Sequence, residues 1–153
     1  GLLHKTIREN STMSRMGLPD YVVTMRKPGE IEERVTHGDD LPVLMWQKYA
    51  SPIWDDINQS RTLNKMPARD DKDQKHMCPL QLDVIERCIH LWTNPGDTIF
   101  SPFTGIGSEG YCAVKMGRKF VGTELKPQYY ELACQNIGDA QKEQGGLFAE
   151  LVA

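Results

Sequence analysis

Hydrophobic residues recur at regular spacing mainly in the second half of the chain. Val84, Ile85, Cys88, Ile89 and Trp92 follow the helical period, and Pro79 suits the first turn of such a helix. Asn94-Pro95-Gly96-Asp97 is a strong turn signal. The pattern therefore predicts a helix that begins near Pro79 and ends before this turn.

Strand and helix patterns alternate after that turn. Thr98-Ile99-Phe100 is a short β-prone run, and a helix is expected from about Ser108 to Met116, closed by Gly117. Phe120 to Glu124 reads as a second strand, and Pro127 to Ile137 as a second helix. This order predicts a β-α-β-α unit with a right-handed crossover and a parallel pair of strands.

The first half of the chain is less regular. Tyr21-Val22-Val23-Thr24-Met25 predicts a strand at about 20–26, which Pro28-Gly29 would end. Residues 30–75 contain three prolines and many polar positions, which favours a loop-rich insert, either a lid or a target-recognition region. Its last part, 61–75, mixes basic and acidic residues; this indicates a solvated surface, with a phosphate-contacting loop as the alternative. Residues 138–153, rich in Gln, Gly and Ala, are expected to fray.

Composition narrows the class of protein. With 153 residues, 39% of them hydrophobic and 25% charged, the chain fits one ordinary globular domain. No apolar run approaches the roughly 20 residues of a membrane span. The net charge of −3 excludes a generally basic surface for nucleic acid, so such contacts would need local basic clusters. Four cysteines without a C-x-x-C pair argue against zinc and indicate reduced thiols of a cytoplasmic protein. We therefore predict no metal site.

The most informative segment lies between the two predicted strands. Gly105-Ile106-Gly107-Ser108-Glu109-Gly110 matches G-x-G-x-x-G between a strand and a helix. Glycines there let the backbone approach a ligand, and the helix N-terminus offers unpaired N–H groups. Glu124 follows the next strand, where a carboxylate can accept hydrogen bonds from a ribose diol. The segment thus predicts a nucleoside-binding half.

Two ligand classes compete for this crevice. A dinucleotide fingerprint would indicate a nicotinamide- or flavin-dependent oxidoreductase fragment. Such a fingerprint usually opens its domain, however, and here the chain ends about 16 residues after Ile137. The loop also begins with Ser101-Pro102-Phe103, and Pro102 fixes the backbone and removes a donor directly after the strand.

Ser101-Pro102-Phe103-Thr104-Gly105-Ile106-Gly107-Ser108 resembles the cofactor loop of the amino-methylating DNA methyltransferases. The resemblance extends to His76-Met77-Cys78-Pro79-Leu80-Gln81 and to Gly117–Glu124 with Tyr129-Tyr130. It is most specific from His76 to Ile137 and is greatest for the prophage-type enzymes of the permuted class. It implies a Rossmann-like α/β fold that binds S-adenosyl-L-methionine, double-stranded DNA as substrate, and a cytoplasmic enzyme encoded by a bacterium or a phage.

The resemblance also implies roles for individual residues. Gly105 and Gly107 would allow close approach of the cofactor, Glu124 would bind its ribose, and Leu125 would flank the adenine. The remaining positions implied to contact the cofactor are His76, Ser101, Pro102, Phe103, Thr104 and Ser108. The reaction would methylate N6 of adenine or N4 of cytosine in a base flipped out of the duplex.

One departure from the family concerns catalysis. The signature Asp/Asn/Ser-Pro-Pro-aromatic is absent, and the nearest tetrapeptide is Ser51-Pro52-Ile53-Trp54. We therefore assign no catalytic residue. The chain is expected to be the C-terminal part of a longer enzyme, with residues 1–29 ending a catalytic half and residues 76–137 forming the cofactor-binding unit. A non-catalytic remnant that binds DNA is the further alternative.

Overall fold

The computed structural model describes residues 19–30, 33–37, 41–64 and 79–151, with side chains of the last helix described up to residue 144. The chain divides into two units, residues 1–34 and 35–153. The described elements all belong to the second unit. They are α1 (Val43–Tyr49), α2 (Leu82–Trp92), β1 (Thr98–Ser101), α3 (Ser108–Lys115), β2 (Lys119–Gly122) and α4 (Pro127–Leu151).

The described part of the first unit has neither helix nor strand. The strand predicted at about 20–26 is therefore wrong for the described residues. Its apolar side chains are exposed, with Tyr21 at 82% and Met25 at 91%. A strand needs a neighbour to complete its hydrogen bonds, and β-propensity alone does not supply one.

The two strands pair in parallel, as predicted, with Ile99 opposite Phe120 and Phe100 opposite Val121. Ile99 and Phe120 pack against the main core, whereas Phe100 and Val121 lie largely exposed on the opposite face. This alternation follows the two-residue period of a strand. The β-α-β-α unit is thus present, with one face of its sheet covered by helices.

The helix predicted from Pro79 is present but begins later, at Leu82. Leu82, Ile85 and Ile89 face the core together with Cys112 and Ala113 of α3. The helix ends where Thr93 donates its hydroxyl to the carbonyl of Ile89, and the predicted Asn94–Asp97 turn follows. Since Pro79 precedes Leu82 by three residues, it does not form part of the first turn.

The glycine that closes α3 was predicted correctly. Gly117 has φ of +76°, and its N–H bonds the carbonyl of Val114 while the N–H of Arg118 bonds that of Ala113. These two hydrogen bonds form a Schellman motif, which needs a left-handed residue. Arg118, buried, then donates to the carbonyls of Met116 and Thr93 and so joins the ends of α2 and α3 to β2.

The last helix is longer than predicted. The tail expected to fray continues α4 to Leu151, and the first part of this extension is held by burial of Ala140 and by the pair of Lys115 with Glu143 at 2.9 Å. The loop-rich insert contains the short helix α1, with Pro42 as its N-cap residue. Most of the other described residues between 33 and 64 are loop, as expected.

Candidate functional site

The candidate site is the loop that leads from β1 into α3, together with the segment after β2. The N–H of Thr104 donates to the carbonyl of Thr123, and the N–H of Thr123 donates to that of Ser101, both at 3.0 Å. The hydroxyl of Thr123 also donates to the carbonyl of Pro102 at 2.8 Å. These bonds continue the parallel ladder past the strand ends, so both segments leave the same edge of the sheet.

Glu124 reaches back to the glycine loop. Its Oε2 accepts a hydrogen bond from the backbone N–H of Gly105 at 2.8 Å, and its Oε1 accepts one from the N–H of Lys126 at 2.9 Å. The acid predicted to lie one strand away from the loop therefore touches it. A carboxylate oxygen has two acceptor sites, so both oxygens retain capacity for a further donor.

The two glycines predicted to share one role have different surroundings. Gly105 has φ of +56°, and a methyl group added there would meet nothing within 4 Å. Gly107 has φ of +87°, and a methyl group there would come within 3.0 Å of Ala133 in α4. Gly105 thus borders open space, whereas Gly107 is required for close packing of the loop against α4.

The loop's side chains fall into two groups. Ser101, Thr104 and Ser108 are buried, and the hydroxyl of Thr104 donates to the carbonyl of Ser101. By contrast, Phe103 has a relative solvent exposure of 85%, and Leu125 is fully exposed. Pro102 is also exposed, and His76 lies outside the described residues. Of the predicted site residues, the structure therefore brings Gly105 and Glu124 together and leaves Phe103 and Leu125 open to solvent.

Ile106, between the two glycines, holds the loop to the protein. Its side chain forms a buried cluster with Leu132 of α4, and Leu63 and Tyr129 pack against this cluster. Its carbonyl accepts a hydrogen bond from the side-chain amide of Asn136 at 2.8 Å. Sequence analysis missed Leu63 and Asn136, because neither belongs to a motif and both lie far from the loop along the chain.

Burial affects one acid beside the loop. Glu109 lies in the first turn of α3, where the helix dipole favours a negative charge. Removal from water nevertheless raises the pKa of its carboxyl group.

Within the described ranges, His, Cys, Asp and Glu side chains form no group of three or more suited to a metal ion.

The tetrapeptide nearest to the absent catalytic signature lies in another cluster. The guanidinium of Arg87 lies 5.1 Å from the ring centre of Tyr49 and 5.4 Å from that of Trp54, and it pairs with Asp56 at 2.9 Å. The indole N–H of Trp54 donates to the carbonyl of Tyr49. Trp54 therefore packs against a buried arginine.

Comparison with known proteins identifies the family. The sequence profile of the N6/N4 methyltransferases, described as DNA methylase, matches residues 21–135. The chain belongs to this DNA methylase family.

Individual relatives agree with the family match. The type II methyltransferase M1.MboII of Moraxella bovis is 29% identical over 118 residues, which are 71% of this chain and 45% of that protein. The type II methyltransferase M.XycI of Xanthomonas campestris pv. cyanopsidis is 37% identical over 62 residues, 40% of this chain and 21% of that protein. The chain thus spans less than half the length of these relatives.

A solved structure shares the fold. TTHA0409 of Thermus thermophilus, crystallised in complex with S-adenosyl-L-methionine, superposes with a TM-score of 0.56 over 84% of this chain and 50% of that one, at 22% identity. The DNA methylase chain therefore has part of a Rossmann-like methyltransferase fold. Across the part of it that the structure describes, every helix is too short or too polar to cross a bilayer.

Proposed function

We propose that this DNA methylase chain binds S-adenosyl-L-methionine in a crevice bordered by Gly105 and Glu124. It would serve as the cofactor-binding part of a DNA methyltransferase that modifies N6 of adenine or N4 of cytosine. The observation that carries the proposal is the hydrogen bond from the Gly105 N–H to the Glu124 carboxylate at 2.8 Å, in a chain of this family.

The residues around the crevice fit this cofactor. The Glu124 carboxylate has acceptor capacity left for the donors of a ribose diol. A methyl group added at Gly105 would meet nothing within 4 Å, so a ligand can approach that side of its backbone. Phe103 and Leu125 expose apolar surface suited to an adenine ring. When bound, the cofactor supplies a methyl group already activated on a sulfonium.

The residues of this chain would bind and orient rather than move protons. Glu124 holds the loop through Gly105 and Lys126 and, in the proposal, the sugar through its remaining lone pairs. Ile106, anchored by Leu132 and Asn136, fixes the loop at its middle. Fixing the cofactor in one geometry reduces the entropy cost of methyl transfer. This positioning is the main contribution that we expect the chain to make to catalysis.

The substrate in this proposal is double-stranded DNA. An exocyclic amino group lies within the base stack, so the target base must be flipped out, at a cost of a few kcal/mol. The sequence contains no Asp/Asn/Ser-Pro-Pro-aromatic tetrapeptide to receive that amino group. We therefore propose that another polypeptide segment supplies this tetrapeptide. In this proposal the enzyme has the permuted arrangement of the prophage-type methyltransferases. It would act on DNA in the cytoplasm.

Calorimetric titration with S-adenosylhomocysteine tests cofactor binding, with NAD⁺ as the competing ligand. We expect S-adenosylhomocysteine to bind and NAD⁺ not to bind. Binding of NAD⁺ alone would instead support the oxidoreductase alternative.

Transfer of a tritiated methyl group to DNA tests the division of labour. We expect this chain to bind S-adenosylhomocysteine but to transfer no labelled methyl group to DNA by itself. Transfer by the isolated chain would contradict the proposed division and would direct attention to Ser51–Trp54.

A further inference from the structure

Arg61 forms an ion-pair cluster that the cofactor hypothesis does not use. Its Nη1 lies 2.5 Å from Oδ1 of Asp83 and 2.5 Å from Oε2 of Glu86, and its Nη2 lies 2.6 Å from Oε1 of Glu86. Glu86 is thus held in a two-point fork, a geometry that arginine provides and lysine does not. The hydrogen bonds that Arg61 donates to Glu86 and, to a smaller extent, to Asp83 raise the pKa of its guanidinium.

The backbone around Arg61 is tied to the same end of α2. The N–H of Leu82 donates to the carbonyl of Arg61 at 2.9 Å, and the N–H of Asn58 donates to Oδ2 of Asp83 at 2.8 Å. Gln81, the N-cap residue, provides no side-chain cap. The Arg61 carbonyl therefore satisfies one of the N–H groups that the start of a helix leaves without a partner inside the helix.

Leu63 connects this anchor to the glycine loop. Two residues after Arg61, its side chain packs against the core cluster that contains Leu82 and Ile85, and also against the cluster of Ile106 and Leu132. Ile106 lies directly between Gly105 and Gly107. A shift of Leu63 would therefore change the packing beneath the loop that carries the candidate cofactor site.

We infer that Arg61 is a positioning residue for the glycine loop: it fixes residues 58–64 on α2 so that Leu63 supports Ile106. The part of this inference that concerns the cofactor rests on the proposed function. The structural part, that loss of Arg61 loosens residues 104–108, does not.

The experiment compares Arg61→Ala and Arg61→Lys with a control, Lys142→Ala, which removes another exposed ion pair, that of Lys142 with Asp139 on α4. At a temperature at which all variants are folded, we expect Arg61→Ala to weaken S-adenosylhomocysteine binding about tenfold. Arg61→Lys should recover part of the affinity, and Lys142→Ala should bind like the wild type. Hydrogen exchange of a peptide that covers residues 104–108 should be faster in Arg61→Ala than in either the wild type or Lys142→Ala.

Two results would overturn the inference: exchange at residues 104–108 unchanged in Arg61→Ala, or equal weakening of binding in Lys142→Ala. If Arg61→Ala does not fold, Glu86→Gln, which keeps a hydrogen bond but removes one charge, replaces it with the same expectations. Absence of binding by the wild type would refute the proposed function, and the exchange measurement would still decide the role of Arg61.

Discussion

The backbone N–H of Gly105 donates to the carboxylate of Glu124 at 2.8 Å, which joins the loop after β1 to the segment after β2. The same carboxylate accepts the N–H of Lys126 through its other oxygen. One acid thus fixes the backbone of both segments that border the proposed crevice. Glu124 therefore determines the shape of the crevice as well as its charge.

Replacement of Glu124 by alanine should weaken S-adenosylhomocysteine binding by roughly 1–3 kcal/mol, because hydrogen bonds to the ribose and to the Gly105 N–H are lost together. Glu124→Gln, which keeps an acceptor oxygen, should lose less. Calorimetric titration measures both. Glu131→Ala, which removes an exposed carboxylate from α4, is the matched control and should bind normally. Normal binding by Glu124→Ala would contradict the proposed ribose contact.

Alanine substitution should separate the two glycines of the loop. Gly107→Ala places a methyl group against Ala133 at positive φ, so we expect it to lower the free energy of unfolding by roughly 2–4 kcal/mol. Gly105→Ala should lower the free energy of unfolding by only about 1–2 kcal/mol, the cost of a non-glycine residue at positive φ. It should also impair cofactor binding, because its methyl group would enter the proposed crevice. Urea unfolding and ligand titration measure the two effects.

Gly138→Ala provides the control for these substitutions. Gly138 lies inside α4, and a methyl group there would meet nothing within 4 Å. It should therefore raise the free energy of unfolding by about 0.5–1 kcal/mol through helix propensity alone. Equal losses of stability in Gly105→Ala and Gly107→Ala would show that the packing of Gly107 against Ala133 has no energetic consequence.

The order of elements around the site could be predicted because its signals are local. A parallel pair of strands brings its carboxyl ends to one edge, so the spacing of Gly105 and Glu124 was enough to predict that they lie together. Gly117 likewise identified the end of α3, because the left-handed conformation that closes a helix favours glycine.

The missed features depend on contacts between distant residues. Residues 139–144 are mostly good helix formers, but the two glycines beyond them favour an early end, and the burial of Ala140 and the Lys115–Glu143 pair cannot be predicted from the local sequence. Arg61 belongs to a run of mixed charge without periodicity, and its partners lie on α2. The rest of that run, residues 65–75, and His76 lie outside the described residues, so those predictions stay open.

Thiol reactivity should follow burial. Cys112 is 1% exposed, and removal from water raises its pKa to about 12, so almost no thiolate forms near neutral pH. Cys134 is exposed on α4. With iodoacetamide at pH 8, mass spectrometry should find Cys134 modified and Cys112 protected, while in denaturant both should react. Modification of native Cys112 at the rate of Cys134 would contradict the packing of α2 against α3.

Asp56 should contribute to acid sensitivity. Hydrogen bonds from Lys48 and then Arg87 lower the pKa of Asp56 to about 2, below the value of about 3.9 for an unfolded aspartate. Because the folded-state pKa is the lower one, the stabilisation is complete above about pH 4 and is lost as the pH falls towards about 2. Urea unfolding between these pH values should therefore show a shallower decline of stability for Asp56→Asn than for the wild type.

Asp55→Asn is the matched control for this measurement, because it removes the neighbouring exposed carboxyl group and leaves the contacts of Asp56 with Lys48 and Arg87 in place. It should keep the steeper decline that Asp56 gives the wild type, because Asp56 retains both partners. Since the other acids are common to all three proteins, any difference in slope reports on the substituted residue. Parallel curves for the wild type and Asp56→Asn would mean that the Arg87–Asp56 pair does not hold residues 49–56 on α2 in solution.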